Sequence, residues 1–183
     1  DQKWHFDYAN GTRIVNKIDM LGSAVNIALG SWLLKSEIAF LDGVAYNTTA
    51  NEKNRLDVLL GFDYMGISDT TISVEVANKH IFDYEAQMSQ NVLNPDYVDE
   101  DEVQTAIRAT RSFLNDSVDA TALLSIFGSS WQNGGFARVW VEYELADALG
   151  VSVGVVDYID GDKPFVKAIR DNDRVFADIT YSF

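Results

Sequence analysis

The chain has 183 residues, 28 acidic against 14 basic side chains, a formal net charge of −14 and no cysteine. The length suits one domain with a sizeable interior, expected to span residues 1–183, and the charge makes nucleic acid and anionic membrane surfaces poor partners. Without thiols there are no disulfides or thiolate metal sites, and without a run of about 18 apolar residues there is no spanning helix, although a membrane β-strand needs only about 9–11 alternating residues.

The chain starts Asp1-Gln-Lys-Trp-His-Phe6, with no basic stretch leading into an apolar core. Any secretory signal is therefore expected to have been removed, unless the chain is a fragment. Trp4, Phe6 and Tyr8 then alternate, a segment short for a spanning strand.

Nine stronger segments follow, most with one apolar and one polar or small face. The first sets Leu21, Val25, Ile27 and Leu29 against Gly22, Ala24, Asn26 and Ala28. After Gly30-Ser31 the second sets Trp32, Leu34, Ile38 and Phe40 against Lys35, Glu37 and Ala39. The third is the clearest, with Leu56, Val58, Leu60, Phe62 and Tyr64 opposed to Arg55, Asp57, Leu59, Gly61 and Asp63. The fourth sets Ile72, Val74 and Val76 against Glu75 and Lys79. The fifth, residues 103–113, is weaker because Arg111 falls on the face of Ile107 and Phe113. The sixth, residues 120–127, is apolar on both sides and has no legible orientation. The seventh opposes Ala137, Val139, Val141, Tyr143 and Leu145 to Arg138, Trp140, Glu142 and Glu144, and the eighth opposes Val151, Val153 and Val155 to Ser152 and Gly154. The ninth carries Val175, Ala177, Ile179, Tyr181 and Phe183 on one face, and Arg174, Phe176, Asp178, Thr180 and Ser182 on the other.

Connections alternate in length. Those at 30–31, 66–69, 115–117 and 146–150 are short, whereas those at 41–54, 81–102, 128–134 and 160–172 are longer and more polar. Both prolines, Pro95 and Pro164, fall in the longer ones.

The terminal Phe183, with Tyr181 and Ile179 at two-residue steps before it, resembles the C-terminal β-signal of Gram-negative outer-membrane barrels. The resemblance implies an all-β, antiparallel, up-and-down transmembrane barrel, recognised through Ile179, Tyr181 and Phe183 by the barrel-assembly machinery. It also implies contact with outer-membrane lipid and lipopolysaccharide. A soluble sandwich or lipocalin-like barrel also alternates, but would turn Leu, Val and Ile inward and leave the charges in solvent. Single-chain bacterial barrels have even strand numbers, so the nine segments imply either a ten-stranded barrel whose stunted first strand is Trp4 to Tyr8, or the C-terminal part of a larger one. The phrases at 30–40, 55–64 and 174–183 resemble a family of large proteobacterial outer-membrane barrels of unknown function, often encoded near transporters of hydrophobic molecules. That resemblance, over roughly residues 13–183, implies a porin-like or hydrophobic-molecule transport or export channel with a transporter partner. The alternative is a structural or adhesive barrel that presents loops and conducts nothing.

The candidate site residues are the charges of the inward face: Arg55, Asp57, Asp63, Glu75, Lys79, Arg108, Arg138, Glu142, Arg174 and Asp178. Such residues set ion preference in a pore, or pair across strands and fill a narrow interior. The acidic stretch from Pro95 to Glu102 lacks the glycine and oxygen spacing of a calcium loop and is expected to be a solvated extracellular segment. His80, near Asp83 and Glu85, is the one histidine placed for catalysis, but no second constellation joins it. No enzymatic activity, cofactor or metal is expected.

Overall fold

The computed structural model describes residues 2–7, 12–46, 49, 51–89, 98–146 and 148–181, with side chains from residue 16 onward. The elements are β1 (Gln2–Asp7), β2 (Thr12–Lys17), β3 (Asp19–Leu29), β4 (Trp32–Val44), β5 (Lys53–Ile67), β6 (Thr70–Ile81), β7 (Asp101–Phe113), β8 (Val118–Phe127), β9 (Gly135–Ala146), β10 (Leu149–Ile159), α1 (Pro164–Ile169) and β11 (Arg174–Tyr181). The fold is all-β, antiparallel and up-and-down. Strands β3 to β11 form one nine-stranded sheet in chain order, with β3 and β11 at the two ends of that order.

All nine alternating segments are strands, most of them longer than the alternation alone marks. β5 is extended at both ends relative to the pattern at 55–64, and β4 continues to Val44. Of the two strand counts, the ten-stranded one with Trp4 to Tyr8 as its first strand is corrected. The segment around Trp4 does not join the nine-stranded sheet but pairs with β2 in a separate two-stranded one, with Trp4 opposite Val15. Local pairing closes a short loop at little entropic cost, and the intervening Asn10-Gly11 dipeptide is a strong hairpin signal that the barrel count passed over. The connection 160–173 holds a second unpredicted element, α1, with Pro164 in its first turn, where a missing N–H breaks no helical hydrogen bond.

Register supplies what the sixth segment withheld. Ala120 and Ala122 of β8 lie opposite Val141 and Val139 of β9, while Thr121 lies opposite Trp140. The apolar face of β8 is therefore the alanine face.

The chain forms two compact units. One comprises residues 1–25, 35–60 and 77–103. Its core is Val44, Tyr46, Ile81 and Met88, flanked by Leu41, Tyr84 and Val98. Met88 sits in a short 3-10 helix, Ala86–Ser89, and is 0% exposed. Tyr84 donates its hydroxyl to the Val98 carbonyl at 3.0 Å, and the Ile81 amide donates to the Glu100 carbonyl at 2.8 Å. Burial in this unit thus concentrates where β4, β6 and β7 meet the long connections. Leu21, Val25, Ile38, Phe40 and Leu60 remain exposed.

The other unit comprises residues 26–34, 61–76 and 104–183. Gly30 takes φ +60° at the first position of the β3–β4 turn, a backbone conformation in which any Cβ is strained. Trp32 packs against Phe62 and Tyr64, with ring centroids 5.2 and 4.5 Å away. Val166 of α1 is buried, and Phe165 faces Phe127 at 6.4 Å. The apolar positions Val139, Val153, Val155, Val175 and Ile179 are exposed.

The decisive stretch is β5. Leu56, Val58 and Phe62 are half-buried and Leu60 is 58% exposed, while Arg55, Asp57 and Asp63 are half-buried. These leucines and valines form no dry centre with their charges in solvent, which is the arrangement a soluble sandwich requires.

Met88 is the keystone of the loop-end core, and Met→Ala in a filled core costs about 2–5 kcal/mol. Met88→Ala is expected to open this end locally, with protease cleavage between Phe82 and Ser89 accelerated and the far-ultraviolet strand signal retained. Unchanged cleavage would show that the core does not hold the connection.

Candidate functional site

In β7 to β11 the register aligns the polar-face residues in rows across the sheet. One row runs Arg108, Leu123, Arg138, Val156, Arg174. Two residues along each strand toward the short turns, the next runs Thr110, Thr121, Trp140, Gly154, Phe176. The third runs Ser112, Asp119, Glu142, Ser152, Asp178. The face is therefore graded, from an arginine row through an aromatic row to an acidic row. Arginine and acid rows stand four residues apart, about 13 Å at the strand rise, which exceeds the screening length of roughly 8 Å at physiological ionic strength.

Aromatic rings hold the arginines. The Arg138 guanidinium carbon lies 4.5 Å from the Trp140 ring centroid and 4.5 Å from that of Phe176. Arg108 approaches Trp140 at 5.8 Å. Arg174 lies 5.8 Å from the Tyr158 ring and donates Nη2–H to its hydroxyl at 2.9 Å. Each such contact stabilises by about 0.5–2 kcal/mol. Gly154 makes the geometry available, because a Cβ there would stand 2.6 Å from both the Phe176 ring tip and Trp140 Cβ. Among the described residues, Arg108, Arg138 and Arg174 join no salt bridge, and Arg138 Nε is shielded without an acceptor.

Beside the acidic row, near the short turns, a cleft of about 290 Å³ is lined by Asp116, Asp119, Glu142 and Glu144 together with Tyr143 and Val151. Ser112 donates its hydroxyl to Asp119 at 2.6 Å. Among the described residues no group of three or more His, Asp or Glu side chains is arranged to hold a metal ion.

The other unit carries a different constellation. Lys53, 6% exposed, places Nζ 2.6 Å from Glu85 Oε1 and 2.6 Å from the Asp83 carbonyl oxygen. Glu85 also accepts hydrogen bonds from Thr49 at 2.8 Å, Asn51 at 3.3 Å and Gln87 at 2.7 Å. The Lys53 hydrogen bond first, then those of Thr49 and Asn51, lower the Glu85 carboxyl from its ordinary 4.5 to about 2. On the same face Arg55 and Asp57 form a bidentate pair, 2.7 Å at each contact.

Each sequence-predicted residue now has a place. Arg55 and Asp57 neutralise one another. Asp63 is half-buried, Glu75 lies against Gly61, and Lys79 is exposed. Arg108, Arg138 and Arg174 form one row, and Glu142 and Asp178 join Asp119 in another. Ile179 and Tyr181 are 75% and 65% exposed. Phe183 and the stretch 95–97 of the acidic loop lie outside the described residues. His80 pairs with Asp101 at 3.0 Å, not with Asp83 or Glu85, while Asn78 donates to the same carboxylate oxygen at 2.8 Å. Sequence reasoning missed Lys53 and Asp119, the pairing of Glu85 with Lys53, and the ring contacts of Trp140, Tyr158 and Phe176 with the arginines. Phe176, the lone ring on an otherwise polar strand face, was the available signal.

These observations define a class: an antiparallel up-and-down β-protein whose strands leave apolar side chains exposed on one face and, in β7 to β11, carry graded charge on the other. The chain belongs to the family described as protein of unknown function (DUF1302), whose family model matches residues 8–183. No curated protein and no solved structure matches it.

Because the Glu85 carboxyl titrates lower in the folded chain than in the unfolded one, its tether is complete above the ordinary value and is lost as pH falls from 4.5 toward about 2. Amide exchange at residues 81–89 is expected to rise across that window, and Glu85→Gln to produce the same loosening at neutral pH. Exchange indifferent to both changes would refute the tether.

Proposed function

We propose that the nine-stranded sheet is wall of a transmembrane β-barrel in a Gram-negative outer membrane, and that the protein passes or exports small or hydrophobic molecules along its charged face. The observation that supports this reading is the apolar face, which the described residues leave uncovered over strand after strand. A continuous exposed apolar surface marks a membrane or partner interface, and alternation of lipid-facing with interior-facing residues is the pattern of outer-membrane barrels. The end strands β3 and β11 would have to be closed, on each other or on further strands, since lipid tolerates no open sheet edge.

The proposed orientation puts the turns at 30–31, 68–69 and 114–117 in the periplasm and the connections 82–100 and 160–173 outside. Exposed Trp32, Phe113, Tyr143 and Tyr181 then lie at the periplasmic boundary, where amphipathic rings settle. Ile179, Tyr181 and Phe183 serve as the assembly signal, outer-membrane lipid and lipopolysaccharide surround the wall, and a transporter partner delivers the solute. In this reading the chain is no enzyme, and His80 is a boundary residue held by Asp101 and Asn78.

Val153 is 52% exposed in the centre of β10. Val153→Arg is expected to destabilise the protein in a bilayer by about 2–4 kcal/mol, whereas Ser152→Arg on the other face stays near native, as read by urea unfolding in vesicles. Equal tolerance of the two would remove the membrane reading. For transport, the full-length protein in a planar bilayer is expected to give stepwise conductance. Neither channel nor solute flux would leave a wall that only presents loops.

A further inference from the structure

The transport reading leaves the arginine row unexplained. In a chain of net charge −14, carboxylates are abundant, and Arg55 and Lys53 each have one within 2.7 Å. Among the described residues Arg108, Arg138 and Arg174 have none, although the register brings all three to one level of one face. They lean instead on Trp140, Phe176 and Tyr158.

A guanidinium held beside a ring keeps in-plane N–H donors for an acceptor, apart from Arg174 Nη2, which already meets the Tyr158 hydroxyl, and the shielded Arg138 Nε. The acceptor that matches them is planar and bidentate, a carboxylate or a similar oxyanion. What surrounds the row narrows the ligand further. The rung next to it carries Trp140 and Phe176 with Gly154 between them, so an apolar body reaching toward the short turns meets rings rather than charges. Beyond the rings stand Asp119, Glu142 and Asp178, which repel a second anionic group. Inorganic anions gain nothing from the aromatic rung, and neutral aromatics gain nothing from the arginines.

We propose that this rung is a binding site for organic monoanions that carry a carboxylate or sulfonate on an apolar or aromatic body. The proposal rests on the reading that this face lines the path of the solute. The oxyanion sits across the arginine edges, its body lies over the Trp140–Phe176 rung, and the acidic row limits how far the ligand extends.

The test uses the full-length protein refolded in neutral detergent and titrated calorimetrically with 2-naphthoate, its neutral counterpart 2-naphthylmethanol, and acetate. The expected order is 2-naphthoate tightest, with the other two at least tenfold weaker, roughly the loss of one charge-assisted contact. Arg138→Gln and Arg174→Gln should each weaken 2-naphthoate by about tenfold and leave 2-naphthylmethanol unchanged. Arg138→Lys, which keeps the charge but neither stacks nor forks, should also lose affinity, and it answers the question if a glutamine variant fails to fold. Equal binding of 2-naphthoate and 2-naphthylmethanol, or native affinity in all of these variants, overturns the proposal. Conductance measured on the same preparations separates the two readings. Arginine-dependent binding without conductance keeps the site and removes transport, whereas conductance with arginine-independent binding does the reverse.

Discussion

A pleated strand sends successive side chains to opposite sides, and in this chain the two sides differ in chemistry along nearly every strand. The rest of the structure depends on that alternation and on one further fact, that the described residues leave much of the apolar side uncovered. The buried apolar residues among those described are Ile18, Val44, Tyr46, Ile81, Met88, Ile126, Val156 and Val166. Most of them lie at strand ends or under the long connections, not at the middle of an apolar face. Backbone pairing between neighbouring strands supplies much of the order along the sheet, and large apolar side chains stay exposed on its strands.

Register converts the charges of single strands into features of a face. Five strands contribute one residue each to the arginine, aromatic and acidic rows, and no two of the three arginines are neighbours in the chain. Gly154 lies between two rings where any side chain would collide with both, so a small residue in one strand sets the packing of an arginine in the next. Opposite charges held about 13 Å apart, beyond easy pairing, give the face a direction along the strands. The pairs Arg55–Asp57 and Lys53–Glu85 are neutralised at close range instead.

The loop end is held by different forces. Met88, Val44 and Ile81 exclude water, while a nearly buried lysine gathers a carboxylate and a carbonyl, with Thr49 and Asn51 completing the shell around Glu85. A buried ammonium without such partners would be costly. This small, well-satisfied cluster anchors the connection after β6, so the long polar segments leave the sheet from a defined base.

From the sequence alone came the all-β class, the nine strands and their faces, because period-two patterning, tight-turn residues and loop length are all local quantities. The same locality explains its failures. The ten-stranded alternative takes Trp4 to Tyr8 as a first wall strand from the polarity required of a barrel, whereas β1 pairs locally with β2. Residues 120–127, apolar on both sides, had no orientation until Thr121 met Trp140 across the sheet. Arg138 is legible as a charge on the polar face of its strand, but its place beside Trp140 and Phe176 is not, since which residues stand side by side is decided by strand register, and register is a property of pairs of strands. Alternation told each strand which side was which, and only hydrogen bonding between strands decided what each side chain would face.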